Sequence, residues 1–145
     1  KEEMEAVLQK VNLLGFLQTQ DGLQTQLLEK ASNLSGGQCQ RLVIARALLR
    51  TDSAVYIFDE AASNIDVESE ELIMNVIHEL AKTKTVLLIS HRLANVVKSD
   101  KIYFLKDGEI KENGKHDELM SQNGEYRHLY ESQMALENYG KKAAV

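Results

Sequence analysis

The sequence predicts an α/β fold that contains a pair of parallel strands. Two short apolar runs rich in β-branched and aromatic residues, 54–58 and 85–90, are typical of buried strands. Apolar residues recur at helical spacing over 67–82, between the two runs. A strand, a helix and a second strand in this order predict a parallel pair joined by a right-handed crossover.

The composition is that of an ordinary globular chain. With 145 residues, 43% hydrophobic and 27% charged, it is long enough for one domain with a buried core. A net charge of −5 gives no reason to expect a nucleic-acid partner. The single cysteine, Cys39, excludes an internal disulfide and fits a reducing compartment. No apolar run approaches the roughly 20 residues that a membrane helix needs.

The first fifty residues predict mainly helices. Apolar side chains at helical spacing, with glutamates early, predict an amphipathic helix over 1–17. A shorter helical piece is expected over 23–28 and a polar link over 29–33. Helical spacing of apolar residues returns over 37–50, where we expect a second long helix.

The last third predicts a hairpin followed by helices. Alternating patterns at 101–106 and 109–112 flank Asp107-Gly108, a strong signal for a hairpin turn. Asn113-Gly114 predicts another turn. The remaining elements expected here are a short helix over 92–98, closing helices over 116–120 and 126–136, and a frayed tail.

A glycine-rich run, Leu34-Ser35-Gly36-Gly37-Gln38, precedes the helix expected over 37–50. Adjacent glycines let the backbone approach another group closely, and a serine can cap a helix or donate to an oxygen. The unpaired N–H groups and the dipole at a helix start favour an anion, phosphate above all. Taken alone, these five residues could equally form an ordinary capped loop.

Ionisable residues follow both predicted strands. Asp59 and Glu60 come after the first strand, and His91 comes after the second. Such residues at the carboxyl ends of parallel strands predict a site for phosphate chemistry. Taken singly, the acidic pair could form a turn and His91 could simply end a buried strand. Asp66 is a candidate N-cap for the helix that follows it.

Together these motifs resemble the nucleotide-binding domain of ABC ATPases, most closely that of exporter-type ABC transporters. The resemblance rests on the signature run 34–38, the Walker B run ending in Asp59-Glu60, the D-loop-like run 63–66 and the switch histidine His91. It covers nearly the whole chain but only the second half of the family's domain.

The resemblance implies a partial P-loop NTPase (RecA-like) core with parallel strands and an N-terminal helical subdomain. Residues 1–50 would form that subdomain with the signature motif, and 51–145 the distal half of the ATPase core. The Walker A strand is absent, since no Gly-x-x-x-x-Gly-Lys-Ser/Thr run occurs in the sequence. The run 29–32 departs from the usual exporter pattern, so family contacts to the membrane domains are not carried over to it.

The resemblance also implies roles for the motif residues. Asp59 would hold Mg²⁺, Glu60 would orient and deprotonate the attacking water, and His91 would contact the γ-phosphate of ATP. Ser35 and Gly37 would grip the γ-phosphate of the ATP bound to the opposite protomer. The other nucleotide-binding residues that the resemblance implies are Leu34, Gly36, Gln38 and, from the D-loop, Asp66.

The implied function is that of a piece of an ABC exporter. In the longer protein, the domain would bind and hydrolyse ATP as a dimer with a second nucleotide-binding domain. It would act with transmembrane domains at the cytoplasmic face of the cell membrane to drive export. Because the phosphate loop is lacking, the chain alone is expected not to hydrolyse ATP.

Two other classes stay open. An ABC-type ATPase of chromosome maintenance or DNA repair should carry long heptad arms before the signature, whereas the lead-in here is a short helical stretch. A non-catalytic interaction module could keep the fold without the chemistry, but the intact Glu60 and His91 argue against that loss.

Overall fold

The computed structural model describes residues 1–143 and divides into two compact units, Lys1–Ile89 and the residues from Ser90 onward. The first contains α1 (Glu2–Lys10), α2 (Leu14–Gln18), α3 (Gly36–Leu48), β1 (Val55–Asp59), α4 (Val67–Ala81) and β2 (Thr85–Ile89). The second contains β3 (Ile102–Lys106), β4 (Glu109–Gly114), α5 (His116–Gln122) and α6 (Glu125–Ala143).

A parallel strand pair forms the sheet of the first unit. β1 pairs with β2 so that Val55 lies opposite Thr85 and Asp59 lies opposite Ile89. Side chains alternate along each strand, and Tyr56 and Phe58 are buried together with their rings stacked. The predicted order of strand, helix and parallel strand is confirmed.

Helices cover the buried face of this pair. α3 and α4 carry apolar stripes because their hydrophobic residues recur every three or four positions. These stripes pack with residues from the end of α1 and the start of α2. The most deeply buried side chains of this cluster are Val11, Leu13, Ile44, Ile73 and Ile77.

The single helix expected over 1–17 is wrong, because the chain breaks between α1 and α2. Asn12 adopts a left-handed conformation with φ 53°, which asparagine tolerates better than most residues. The Asn12 N–H donates to the Gln9 carbonyl and the Leu13 N–H to the Leu8 carbonyl. This pair of bonds is a Schellman C-cap, which ends α1.

Other expected helices of the linking regions are shorter in the structure. The piece expected over 23–28 is only a 3₁₀ turn, Gly22–Gln24, and the polar link contains another, Glu29–Ala31. The helix expected over 92–98 is likewise a 3₁₀ turn, Leu93–Asn95.

The hairpin of the second unit is confirmed. Asp107 and Gly108 both have positive φ, 52° and 76°, which is the conformation of a type I′ turn between antiparallel strands. The turn expected at Asn113-Gly114 is wrong, because these residues continue β4 and pair with Tyr103 and Ile102.

The two closing helices are confirmed as α5 and α6. The second is longer than expected, since α6 continues to Ala143 where the sequence predicts a frayed tail. Residues 144 and 145 of that tail lie outside the described residues. Within residues 1–143, no helix has both the length and the apolar character needed to cross a membrane.

Candidate functional site

The glycine-rich run forms the capped start of α3. Ser35 is the N-cap, and its Oγ accepts a hydrogen bond from the Gln38 N–H at 3.1 Å. A reciprocal hydrogen bond runs from the Ser35 N–H to Oε1 of Gln38, at 2.9 Å. Ser35 and Gly36 are exposed, and the N–H of Gly36, the first helical residue, has no carbonyl partner within the helix. The start of α3 therefore presents the Ser35 hydroxyl and the Gly36 N–H as donors at the surface, directly after Leu34.

Gly37 has a different environment from Gly36. Gly37 is buried against the start of α4, where an added Cβ would overlap Ser69 Oγ and lie 2.8 Å from Ser69 Cβ. At Gly36, the nearest atom to an added Cβ is 4.0 Å away, on Ile65. Only a residue without a side chain fits at position 37, so this glycine is needed for helix packing whatever it contacts in addition.

Asp66 is the N-cap of α4, as its position predicts. Its Oδ1 accepts from the Ser69 N–H at 2.8 Å. Hydrogen bonds from the backbone N–H and then from the hydroxyl of Ser69 hold the pKa of the Asp66 carboxyl below its ordinary value of 3.8. Asp66 Oδ2 also lies close to Gly37, since a Cβ there would be 3.1 Å from it. The structure thus joins the signature run to the D-loop-like run.

Arg41 supports this junction from α3. Its Nε donates to the Gly37 carbonyl at 3.2 Å, and its Nη1 donates to the Asn12 carbonyl at 3.1 Å. Its positive charge also favours the ionised form of Asp66. No sequence pattern points to Arg41 or Ser69, because contacts between separate helices leave no periodic signal.

Asp59 and Glu60 lie where β1 ends. Asp59 is the last residue of the strand and is exposed. The Glu60 N–H donates to the Ile89 carbonyl at 3.0 Å, so Glu60 lies beside the end of β2. Its backbone is left-handed, with φ 52°, and the Ser63 N–H and Oγ both donate to its carbonyl, at 3.0 and 2.9 Å. This turn ends the strand alternation, so the two carboxylates need not point to opposite faces.

His91 belongs to the second unit and is exposed. Its carbonyl accepts from Nε2 of Gln133 on α6 at 2.8 Å. Gln133 follows His91 by 42 residues and has no motif around it, so the sequence alone does not connect the two.

Most of the site residues belong to the first unit, and His91 belongs to the second. The structure brings Gly37 and Asp66 together, places Glu60 beside the end of β2, and places His91 in a loop of the second unit. Among residues 1–143, no three or more His, Cys, Asp or Glu side chains gather in a group that could hold a metal ion.

Comparison with known proteins shows similarity to ABC transporters. The model of the family described as "ABC transporter" matches residues 1–63. An ABC transporter ATP-binding protein of Haemophilus influenzae is 50% identical over 136 residues, covering 94% of this chain and 24% of the relative. An ATP-dependent lipid A-core flippase of Mannheimia succiniciproducens is 46% identical over 134 residues, covering 92% of this chain and 23% of the relative.

A solved structure agrees with the sequence relatives. A bacterial Atm1-family ABC exporter with ATP bound superposes with a TM-score of 0.82 at 30% identity, covering 92% of this chain and 23% of the exporter chain. The chain therefore spans about a quarter of the length of the proteins it matches. Over more than nine-tenths of its length, the chain matches part of a nucleotide-binding domain of exporter-type ABC transporters.

Proposed function

We propose that this chain supplies the signature turn, the catalytic acid and the switch histidine of an ATP-hydrolysing site in an ABC exporter. The observation that carries the proposal is the exposed start of α3, where Ser35 and Gly36 present donors and Gln38 fixes the serine. A helix start of this kind suits the terminal phosphate of a nucleotide.

The residues at the end of β1 fit the chemistry of phosphoryl transfer. Mg²⁺ dehydrates reluctantly and commonly uses one or two carboxylates together with waters and phosphate oxygens, so the exposed Asp59 suffices to hold it. When bound, the ion neutralises charge on the phosphates. Glu60 takes a proton from the attacking water, and His91 donates a hydrogen bond to the γ-phosphate whether or not the imidazole is charged.

The site is completed by a second nucleotide-binding domain, identical or different. The ATP held by that partner is contacted by the signature run, Leu34 to Gln38, and Asp66 lies at the same junction. Residues 1–50 act as the helical subdomain and 51–145 as the distal half of the ATPase core. Transmembrane domains of the transporter couple hydrolysis to export at the cytoplasmic face of the cell membrane.

The role of Glu60 is tested by steady-state ATP hydrolysis of the exporter that contains this chain. Glu60→Gln keeps the size of the side chain but removes the base, so kcat should fall by about 100-fold or more while ATP still binds. Glu68→Gln, an exposed change of the same kind at the start of α4, is the matched control and should leave kcat unchanged.

The same assay applied to the chain alone should give no Mg²⁺-dependent turnover, because the sequence contains no phosphate loop. Turnover by the isolated chain that is lost on Glu60→Gln would contradict this expectation. An exporter that keeps its wild-type kcat after Glu60→Gln would contradict the catalytic assignment.

A further inference from the structure

We propose that Gln133 of α6 is a positioning residue for His91. The inference rests on the proposed function, in which His91 contacts the γ-phosphate. It goes further by assigning the orientation of the histidine loop to the C-terminal helix, so that α6 takes part in the site from 42 residues away.

The side-chain amide of Gln133 makes two hydrogen bonds to the backbone of the histidine loop, and we call this pair of bonds the clamp. Nε2 of Gln133 donates to the His91 carbonyl at 2.8 Å, and Oε1 accepts from the Leu93 N–H at 2.9 Å. The amide thus bonds to the backbone groups on either side of Arg92, the His91 carbonyl and the Leu93 N–H, much as a neighbouring strand would. Reversing the amide would place NH₂ against N–H and oxygen against oxygen, so both ends of the side chain are needed.

Further bonds hold the same loop. Arg92 Nη2 contacts Glu137 Oε1 at 2.8 Å, one turn beyond Gln133 on α6. Ser90 Oγ accepts from the Arg92 N–H at 3.1 Å and donates to the Arg92 carbonyl at 3.3 Å. The backbone on both sides of His91 is therefore fixed by side chains.

The clamp matters because His91 lies outside any regular helix or strand, where no ladder of hydrogen bonds would fix its backbone. A side chain that must meet one phosphate oxygen depends on the direction of its Cα–Cβ bond, and a shift of about 1 Å can cost about 100-fold in rate. Gln133 sets that direction without touching the nucleotide itself.

Gln133→Glu tests the clamp in the exporter that contains this chain. At pH 8 the carboxylate cannot donate and repels the His91 carbonyl, so kcat for ATP hydrolysis should fall about tenfold or more. The KM for ATP should change less than about twofold, because the nucleotide is bound by other residues. A glutamic acid ordinarily regains its proton at about pH 4.3, so the ratio of variant to wild-type kcat should start to recover only as the pH falls from about 5.5 towards that value.

Asn138→Asp is the matched control, since it makes the same amide-to-acid change at an exposed position of α6. Its kcat should equal that of the wild type across the pH range. His91→Ala should lower kcat at least as much as Gln133→Glu, and the double variant should be no slower than His91→Ala alone.

The outcomes separate the two levels of the proposal. Wild-type turnover after His91→Ala would overturn the role of His91 itself, and with it the basis of the clamp. Loss of turnover in His91→Ala, together with an unchanged kcat of Gln133→Glu at every pH, would overturn only the role of Gln133.

A second variant guards against a folding defect in Gln133→Glu. Gln133→Met keeps the length of the side chain and removes both bonds. Hydrogen exchange at the Leu93 amide should then be at least tenfold faster than in the wild type, while amides within α6 stay protected. Unchanged exchange at Leu93 would overturn the clamp.

Discussion

Glu60 carries a left-handed backbone conformation, with φ 52°, although it is not a glycine. Holding a side chain in that region costs on the order of 1 kcal/mol or more, and such positions cluster at functional sites. The bonds to Ile89 and Ser63 hold Glu60 there. The acidic pair could be predicted from the sequence, but its backbone turn could not, because it depends on the register between β1 and β2.

The contribution of the Asp66 carboxylate to folding stability should depend on pH. Its pKa is lowered in the folded chain, so the ionised carboxylate adds stability that is fully present above the ordinary value of 3.8. This contribution is lost as the pH falls through the lower pKa of the folded state. Asp66→Ala should therefore be less stable than the wild type at pH 7, by a difference that shrinks below pH 3.8.

Urea unfolding at a series of pH values measures this difference. Asp66→Asn is the control, since an asparagine oxygen still caps the helix without titrating. A stability gap between the wild type and Asp66→Ala that stays constant through the acidic range would contradict the assigned role of the charge.

At the scale of elements, the important contact is between the starts of α3 and α4. Each helix could be predicted from its apolar stripe, and each N-cap from a serine or aspartate at the right place. The contact of Gly37 with Ser69 could not, because it depends on how two separate helices pack.

Gly37→Ala tests that packing. The added methyl group overlaps Ser69 Oγ, so the free energy of unfolding should fall by about 1–3 kcal/mol. Gly36→Ala is the matched control, because its methyl group has no neighbour closer than 4.0 Å and alanine favours a helix. Its stability should equal or exceed that of the wild type in urea unfolding.

Equal stability of the two alanine variants would show that the helix starts are not in close contact. A large loss in Gly36→Ala alone would show that the exposed and buried glycines have been assigned the wrong way round.

At the scale of the whole molecule, the sequence predicts the parallel pair, the hairpin and the order of the motifs. The predicted single N-terminal helix is wrong because α1 ends in a C-cap at Asn12. The apolar pattern of the sequence continues through this position and so does not reveal the break. The clamp of Gln133 also lies beyond sequence reasoning, since it depends on two segments 42 residues apart meeting in space. The chemistry of the motifs can thus be predicted from the sequence, whereas the contacts that orient the motifs are seen only in the folded structure.

The central claim is that two nucleotide-binding domains, identical or different, meet at one nucleotide. It is tested most directly by a structure of the exporter that contains this chain, carrying Glu60→Gln and bound to ATP and Mg²⁺. We predict Ser35 Oγ within about 3 Å of the γ-phosphate of the ATP held by the other nucleotide-binding domain. A start of α3 that lies away from both nucleotides, or contacts only the ATP of its own domain, would contradict the account.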